Sequence, residues 1–115
     1  MEPRILFIAD GYTDALDLLH ILDENDIFYH CENIDPSSME KLLKVNRINL
    51  ILLDESCFSL LGFLNSLTEA TGVIIVLHHH NEETIKTSWN YNISGFVVKP
   101  NYYGLLPAIE KALSN

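Results

Sequence analysis

The sequence predicts an α/β domain in which helices cover both faces of a parallel, five-stranded sheet. Five short apolar runs alternate with segments whose apolar residues recur at helical spacing. Each run is nearly continuous in apolar residues, as in strands that are buried on both faces. Parallel strands need long crossover connections, which are right-handed and place helices on both sides of the sheet. We therefore expect three layers built from five β-α units.

The first unit begins with a strand at residues 4–9, where one arginine is followed by five apolar residues. A helix should follow, because apolar residues then recur at three- and four-residue spacing. These residues are Ala15, Leu18, Leu19 and Leu22. Thr13 is a candidate N-cap, since its hydroxyl can accept a hydrogen bond from a first-turn N–H. The helix is expected to end at about Asn25.

The second unit begins with a strand at residues 28–34. Asp35 and Pro36 follow, and a capping acid ahead of a first-turn proline is a common helix start. The next apolar residues, Met39, Leu42 and Leu43, then lie on one helix face. We expect the second helix to begin at this proline.

The last three units contain strands at residues 49–53, 73–77 and 93–98. A helix over residues 58–70 should separate the first two of these strands, with Gly72 as its C-terminal stop. Asn81 is placed to cap the fourth helix. The final helix has an apolar stripe formed by Leu105, Leu106, Ile109, Ala112 and Leu113.

Length and composition favour a single domain over residues 1–115, with any output domain absent from this chain, since 115 residues at 48% hydrophobic content suit one core. The two cysteines, Cys31 and Cys57, lack metal-ligand spacing and indicate reduced thiols in a cytoplasmic protein. No apolar run is long enough for a signal peptide core or a membrane span. The net charge of −9 argues against nucleic acid binding by this domain.

Three charged residues follow predicted strands: Asp10 after the first, Asp54 after the third and Lys99 after the fifth. The carboxyl ends of parallel strands share one edge of a sheet, where ligands bind in such folds. Two carboxylates provide the hard oxygen ligands that Mg²⁺ prefers, and a lysine provides positive charge for a phosphoryl group. The sequence therefore predicts a phosphate and metal site at this edge.

Over essentially its whole length, the chain resembles the receiver domains of two-component response regulators. In that family an acidic pair ends the first strand, a phospho-accepting Asp the third, a Thr or Ser the fourth, and a Lys-Pro pair the fifth. The corresponding positions in this chain hold Ala9-Asp10, Asp54, His78 and Lys99-Pro100. A family glycine eight residues after the phospho-acceptor is matched by Gly62, and an aromatic residue three before the lysine is matched by Phe96.

The resemblance implies a flavodoxin-like sheet with strand order 2-1-3-4-5. It also implies a regulatory domain rather than an enzyme, with at most self-catalysed phosphoryl transfer and autodephosphorylation. Asp54 would accept a phosphoryl group from a histidine kinase or a phosphotransfer protein, assisted by Lys99. Mg²⁺ would be bound by Asp10, Asp54 and the backbone carbonyl of Ser56.

Three departures from the family pattern leave a second hypothesis open. Ala9 removes one acid of the metal-binding pair, so we expect weaker but not abolished Mg²⁺ binding. His78 occupies the position of the small hydroxyl that would follow the phosphoryl group, and Cys57-Phe58 replaces the usual Met-Pro pair. The alternative is a degenerate pseudo-receiver that acts as a phosphorylation-independent protein-interaction module.

Aromatic residues cluster around the fourth helix, the fifth strand and the start of the fifth helix: Trp89, Tyr91, Phe96, Tyr102 and Tyr103. In receiver domains this face contacts an effector or a second copy of the domain, and aromatic residues are enriched in such interfaces. We therefore assign Phe96, Trp89 and Tyr102 to a switch and interface region for an effector or a homodimer. The competing interpretation is that most of these aromatics fill the core.

Two other chemistries can be read from the same region. The run His78-His79-His80 suggests a transition-metal site, but neighbouring side chains of an extended backbone point in opposite directions and no fourth ligand is evident. A surface loop with His78 facing the site is favoured instead. Cys57 near His78 suggests a thiol nucleophile, but the sequence provides neither an orienting group nor an oxyanion donor beside them.

Overall fold

The computed structural model describes residues 2–32, 36–67, 71–99, 102 and 104–114. The strands are β1 (Arg4–Ile8), β2 (Phe28–Glu32), β3 (Leu50–Asp54), β4 (Gly72–Leu77) and β5 (Gly95–Val98). The α-helices are α1 (Leu16–Glu24), α2 (Pro36–Val45), α3 (Leu61–Leu67), α4 (Glu82–Ser88) and α5 (Leu105–Leu113). Segments of 3₁₀ helix precede α1 at Thr13–Ala15 and α3 at Glu55–Leu60. Within these ranges, no helix is both long enough and apolar enough to cross a bilayer.

All five strands form one parallel sheet with the order β2-β1-β3-β4-β5, which confirms the predicted fold class. The register brings the carboxyl ends of the strands together. Ile8 pairs with Leu53 across β1 and β3, and Leu77 pairs with Val98 across β4 and β5. The residues that follow these strands therefore emerge along one edge of the sheet, as the sequence predicted.

Two apolar clusters lie on opposite faces of the sheet. Successive side chains of a strand point to opposite faces, so neighbouring residues of β1 belong to different clusters. Phe7 belongs to the cluster packed by α1 and α5, and Leu6 belongs to the cluster packed by α2 and α3. Both side chains are fully buried. The sheet is thus covered by apolar side chains on both faces.

The connections after β1 and β3 differ from the prediction. Thr13 does not cap α1; it begins the 3₁₀ segment, and Ala15 at the N-cap of α1 makes no side-chain capping bond. The third helix does not begin at residue 58, because a 3₁₀ segment starts directly after Asp54, whose carboxylate accepts a hydrogen bond from the Ser56 N–H. The predicted cap at Asp35 and the end of the third helix at residues 68–70 lie outside the described residues.

The prediction for Gly72 was wrong, whereas that for Asn81 is confirmed. Gly72 is the first residue of β4 rather than a helix stop. A Cβ at this position would lie 2.6 Å from Ser94 Oγ and 3.3 Å from Leu50 Cδ1, so an added side chain would require these two side chains to shift. The side chain of Asn81 caps α4 by accepting hydrogen bonds from the N–H groups of Glu83 and Thr84.

We predict that Gly72→Ala lowers the free energy of unfolding by about 1 kcal/mol, because the new methyl group overpacks the start of β4. Ser94→Ala should restore much of this loss in the double variant, since it removes the oxygen 2.6 Å from the new Cβ. Gly95→Ala is the matched control, because a Cβ there meets nothing within 4 Å. Urea denaturation of the wild type, the two single glycine variants and the double variant measures these effects. Equal losses of stability for Gly72→Ala and Gly95→Ala would contradict the steric explanation.

Candidate functional site

Asp54 is the last residue of β3, and its carboxylate is almost completely buried, with a side-chain exposure of 4%. A buried carboxylate is tolerated when it is paired and hydrogen-bonded. Its Oδ2 accepts hydrogen bonds from the Ser56 N–H at 3.0 Å and from His78 Nε2 at 2.7 Å. Its Oδ1 lies 3.1 Å from Lys99 Nζ.

Lys99 supplies the positive charge of the site. It follows β5, and its backbone N–H donates to the carbonyl of Leu77 at 2.8 Å, which extends the sheet pairing by one residue. Its side chain is 15% exposed. The ammonium group is close to Asp54 Oδ1 but is not aligned for a hydrogen bond, so this contact is an ion pair rather than a directed bond.

The surroundings of Asp54 keep its carboxylate ionised. Burial raises the pKa of Asp54, but hydrogen bonding by Ser56 and His78 and the contact with Lys99 lower it, and the net effect is a pKa below the ordinary value. Hydrogen bonds to a charged form stabilise that form, which is why several donors outweigh the cost of desolvation. Asp54 is therefore a carboxylate, not a carboxylic acid, at neutral pH.

Asp10 joins this pair at the same edge of the sheet. It follows β1 and is exposed; its backbone N–H donates to Ser56 Oγ at 3.4 Å. A cavity of about 220 Å³ connects Asp10 with the buried pair of Asp54 and Lys99. The cavity is lined by Asp10, Gly11, Thr13, Asp54, Ser56, His78 and Lys99. The structure thus brings the three predicted charged residues to one open pocket.

A larger groove of about 300 Å³ lies at the other edge of the sheet, beside the start of β1. Pro3, Ile27, Leu106 and Ile109 form much of its wall. It contains no pair of opposite charges among its lining residues. We therefore take the smaller, charged cavity as the candidate site, because chemistry needs convergent polar groups rather than volume.

His78 faces the site, as the sequence analysis favoured. Its imidazole Nε2 donates to the ionised Oδ2 of Asp54 at 2.7 Å, while its side chain remains 45% exposed. The neighbouring His79 and His80 are exposed. No group of three or more His, Cys, Asp or Glu side chains among the described residues is placed to bind a metal ion.

Cys57 does not have the surroundings of a reactive thiol. Its side chain is buried, with 1% exposure, and its Sγ lies 3.7 Å from Asp10 Oδ1. Burial raises the pKa of Cys57, the contact with Ser56 lowers it, and the carboxylates of Asp10 and Asp54 raise it; the net effect is a pKa above the ordinary value. A thiol that is held protonated is a poor nucleophile.

Glu55 has a role that the sequence analysis missed. Strand alternation predicts that Glu55 points away from Asp54, as a solvated or capping residue. Instead its carboxylate is half-buried and accepts three hydrogen bonds, two from the connection between β4 and α4 and one from the first turn of α4. Burial raises the pKa of Glu55, but these hydrogen bonds, first among them the His78 N–H, lower it below the ordinary value.

The three residues assigned to the switch and interface region have different surroundings. Trp89, at the C-cap of α4, is 70% exposed. Phe96 is partly buried and packs against the core cluster on the α2 and α3 side. For Tyr102 the structure favours the competing interpretation, a place in the core: a left-handed backbone, with φ of 52°, accompanies a side chain that is 4% exposed in the core cluster on the other face. Tyr103 lies outside the described residues.

The donor groups at the site suit Mg²⁺ but provide few protein ligands. Asp10 offers an exposed carboxylate, whereas both oxygens of Asp54 already face protein donors. Mg²⁺ is commonly bound by one or two carboxylates together with water and phosphate oxygens, so this donor set fits the ion. Ala9 is buried, with 2% exposure, and contributes no ligand.

No protein-family model and no curated protein sequence matches this chain. Solved structures match it at low identity. A response regulator from Thermotoga maritima is 16% identical with a TM-score of 0.81, and the match covers 100% of both chains. A CheY-like receiver domain protein from Methanospirillum hungatei JF-1 is 20% identical with a TM-score of 0.75, covering 96% of this chain and 93% of that one.

The signal receiver domain of an HD domain-containing protein from Pseudomonas fluorescens Pf-5 is also 20% identical, with a TM-score of 0.78. That match covers 98% of this chain and 95% of the other. These proteins span nearly the same length as the present chain and align with its whole sheet. The chain therefore has the five-stranded fold of the receiver domains of response regulators.

Proposed function

We propose that this chain is a signalling receiver domain that accepts a phosphoryl group on Asp54 from a histidine kinase or a phosphotransfer protein. The observation that carries the proposal is the buried, ionised carboxylate of Asp54 with Lys99 Nζ 3.1 Å away, on an open cavity at the carboxyl edge of the sheet. The fold, which is that of receiver domains, supports the same conclusion.

The proposed reaction is a transfer between two nucleophiles. A carboxylate oxygen of Asp54 attacks the phosphorus of a phosphohistidine, the phosphorus–nitrogen bond breaks, and the departing imidazole keeps the electron pair and takes up a proton. The product is an acyl phosphate on Asp54. Negative charge spreads over the phosphoryl oxygens in the loose transition state. Lys99 is a cation already in place to stabilise that charge.

Asp10, Asp54 and the backbone carbonyl of Ser56 are the groups that would hold Mg²⁺ in this proposal. When bound, the ion would neutralise charge on the phosphoryl oxygens. The absence of an acid at Ala9 removes one supporting group. Losing such a partner typically costs about 10- to 100-fold in metal affinity or activity, so the chain should need more Mg²⁺ than a receiver domain with the full acidic pair.

His78 competes with the incoming phosphoryl group in this scheme. Its Nε2 is 2.7 Å from Asp54 Oδ2, so the imidazole lies where a group bonded to that oxygen would have to be. With 45% of its side chain exposed, it has solvent into which it can rotate. Modification of Oδ2 thus requires the loss of one charge-assisted hydrogen bond.

A second candidate function rests on the same contact. Because Oδ2 is already bound by His78 and Ser56, the domain can hold one conformation without modification and signal through constant protein contacts. In either case the output face would include α4, where Trp89 is exposed to a partner or to a second copy of the domain. The first experiment below separates the two functions.

We predict that incubation with Mg²⁺ and acetyl phosphate adds one phosphoryl group to the wild-type protein and none to Asp54→Asn, because an amide does not supply the nucleophilic oxygen. Intact-protein mass spectrometry measures the modification. Asp26→Asn is the matched control: it makes the same exchange of a carboxylate for an amide at an exposed position, and asparagine is well tolerated at its backbone φ of 54°. It should be modified like the wild type.

An unmodified wild-type protein would contradict the phosphoryl-accepting function. If such a protein still bound a partner through the α4 face, and Asp54→Asn bound it equally well, the phosphorylation-independent function would stand. Modification of Asp54→Asn at the wild-type rate would place the acceptor elsewhere in the chain.

We predict that His78→Ala accelerates modification of Asp54, because it removes the hydrogen bond that occupies Oδ2. A charge-assisted hydrogen bond from a side chain that is 45% exposed is worth about 1 kcal/mol, which corresponds to a rate increase of about fivefold. The rate of phosphoryl incorporation from acetyl phosphate measures the effect. His79→Ala is the control, since His79 is an exposed imidazole in the same loop. A slower His78→Ala protein would show that the imidazole assists the transfer.

The state of the nucleophile can be tested by its effect on acid stability. The folded-state pKa of Asp54 lies below its unfolded value of about 3.9, so ionised Asp54 stabilises the fold above that pH, and the contribution is lost as the pH falls through the folded-state value. Asp54→Asn should therefore lose less stability than the wild type on acidification below pH ~4. Urea denaturation midpoints across this range measure the difference, and Glu55 is unchanged in both proteins. Identical pH dependence would contradict the assignment.

A further inference from the structure

The connection between β4 and α4 is held at two adjacent acidic residues, Asp54 and Glu55. Glu55 Oε1 accepts the backbone N–H of His78 at 3.0 Å. Its Oε2 accepts Asn81 Nδ2 and Thr84 Oγ1, each at 3.0 Å. All three donors belong to residues 78–84, so one half-buried carboxylate organises the whole connection and the first turn of α4.

His78 is the residue shared by both acids. Its side chain donates to Asp54 Oδ2 at 2.7 Å, and its backbone N–H donates to Glu55 Oε1 at 3.0 Å. The position of its backbone is therefore fixed by Glu55, while its imidazole is fixed by Asp54. A change at Asp54 that displaces the imidazole removes one of the two restraints on this residue.

Glu55 also contacts the groups that start α4. Asn81 caps the helix by accepting the N–H groups of Glu83 at 3.1 Å and Thr84 at 3.3 Å, and its amide nitrogen donates to Glu55. Thr84, in the first helical turn, donates its hydroxyl to the same carboxylate oxygen. The orientation of the helix start thus depends on where Glu55 is held.

We propose that Glu55 is a positioning residue that couples the state of Asp54 to the amino-terminal turn of α4, with His78 as the intermediate. The coupling rests on the proposed function for its trigger, since phosphorylation of Asp54 displaces the imidazole of His78. The backbone of His78 then shifts relative to Glu55 Oε1, and the bonds at Oε2 carry the shift to Asn81 and Thr84. This route does not need the Thr or Ser hydroxyl that ends the fourth strand of receiver domains, because His78 occupies that position here.

The principal test measures the site and the helix separately in ¹H–¹⁵N spectra during titration with Mg²⁺ and beryllofluoride, a phosphoryl mimic. Glu55→Gln keeps the size of the side chain, but its amide has one acceptor oxygen for three donors. We expect the amides of Ser56 and Lys99 to titrate as in the wild type, while the shifts of Glu83 and Thr84 fall by about half or more. Unchanged shifts in α4 would overturn the proposal.

The matched control is Glu82→Gln, which removes a negative charge from the first turn of α4 at an exposed position and leaves both reporter residues unchanged. It should respond like the wild type at both places. Thr84→Val provides a second variant, because it removes one donor to Glu55 while keeping a β-branched side chain of similar size. It should reduce the α4 response while leaving the response of Ser56 and Lys99 intact, and it decides the matter if Glu55→Gln fails to fold.

A measurement without the mimic distinguishes failure of the coupling from failure of the proposed function. His78→Ala should accelerate amide hydrogen exchange at Glu83 and Thr84 in the wild-type background, and this acceleration should largely disappear in Glu55→Gln. A wild-type protein whose Ser56 and Lys99 amides ignore the mimic would contradict the proposed function only. Equal acceleration in both backgrounds would contradict the coupling, whatever the mimic does.

Discussion

The site depends on the pairing of a buried carboxylate with Lys99. Asp54 ends a strand whose residues are all buried, so its charge is stable there only with compensating groups nearby. The sheet order supplies them: β4 lies between β3 and β5, and the pairing of Leu77 with Val98 places the start of Lys99 just beyond the end of β4. The side chain of Lys99 crosses the end of β4, and its Nζ lies 3.1 Å from Asp54 Oδ1. The sheet order thus brings the two charges together, and their pairing stabilises the buried carboxylate.

Ala9 and His78, two departures from the receiver-domain pattern, both reduce the uncompensated negative charge at the site. Adjacent carboxylates repel, and a cluster of three needs a cation to remain ionised. Ala9 removes one of the acids, and His78 adds a donor to Oδ2. The remaining charge on Asp54 is balanced by Lys99, Ser56 and His78, all from the protein itself. The charge of Asp54 is therefore balanced without a metal ion, and one of its two carboxylate oxygens is occupied by the imidazole of His78.

The sequence predicted the parts of the structure that follow from strand periodicity. Asp10, Asp54 and Lys99 meet because each follows an apolar run, and parallel strands end at one edge. Contacts that depend on turn geometry could not be read in this way. The strand ends at Asp54, so the alternation assumed for Glu55 no longer applies once the chain enters the 3₁₀ segment.

Two other outcomes have the same kind of cause. For Tyr102 the sequence left both an interface and the core open; its left-handed backbone accompanies a side chain in the core, and a positive φ at a tyrosine has no reliable sequence signal. Gly72 is the first residue of β4 rather than the predicted helix stop, and its small size fits the close approach of Ser94, a residue distant in sequence. In both cases a tertiary constraint decided the outcome over a local preference.

The packing of α4 explains why polar contacts at its start can control it. Its one fully buried side chain among the described residues is Ser88, and Ile85 is only partly buried, whereas α5 buries both Leu105 and Ile109. A helix with little buried apolar surface belongs to the least stable part of a structure and can move at low cost. Its amino-terminal turn is held mainly through Glu55 and the Asn81 cap. In the proposed coupling, a change in those bonds would reorient the helix with little disturbance of the core, and Trp89 at its other end is exposed at the surface.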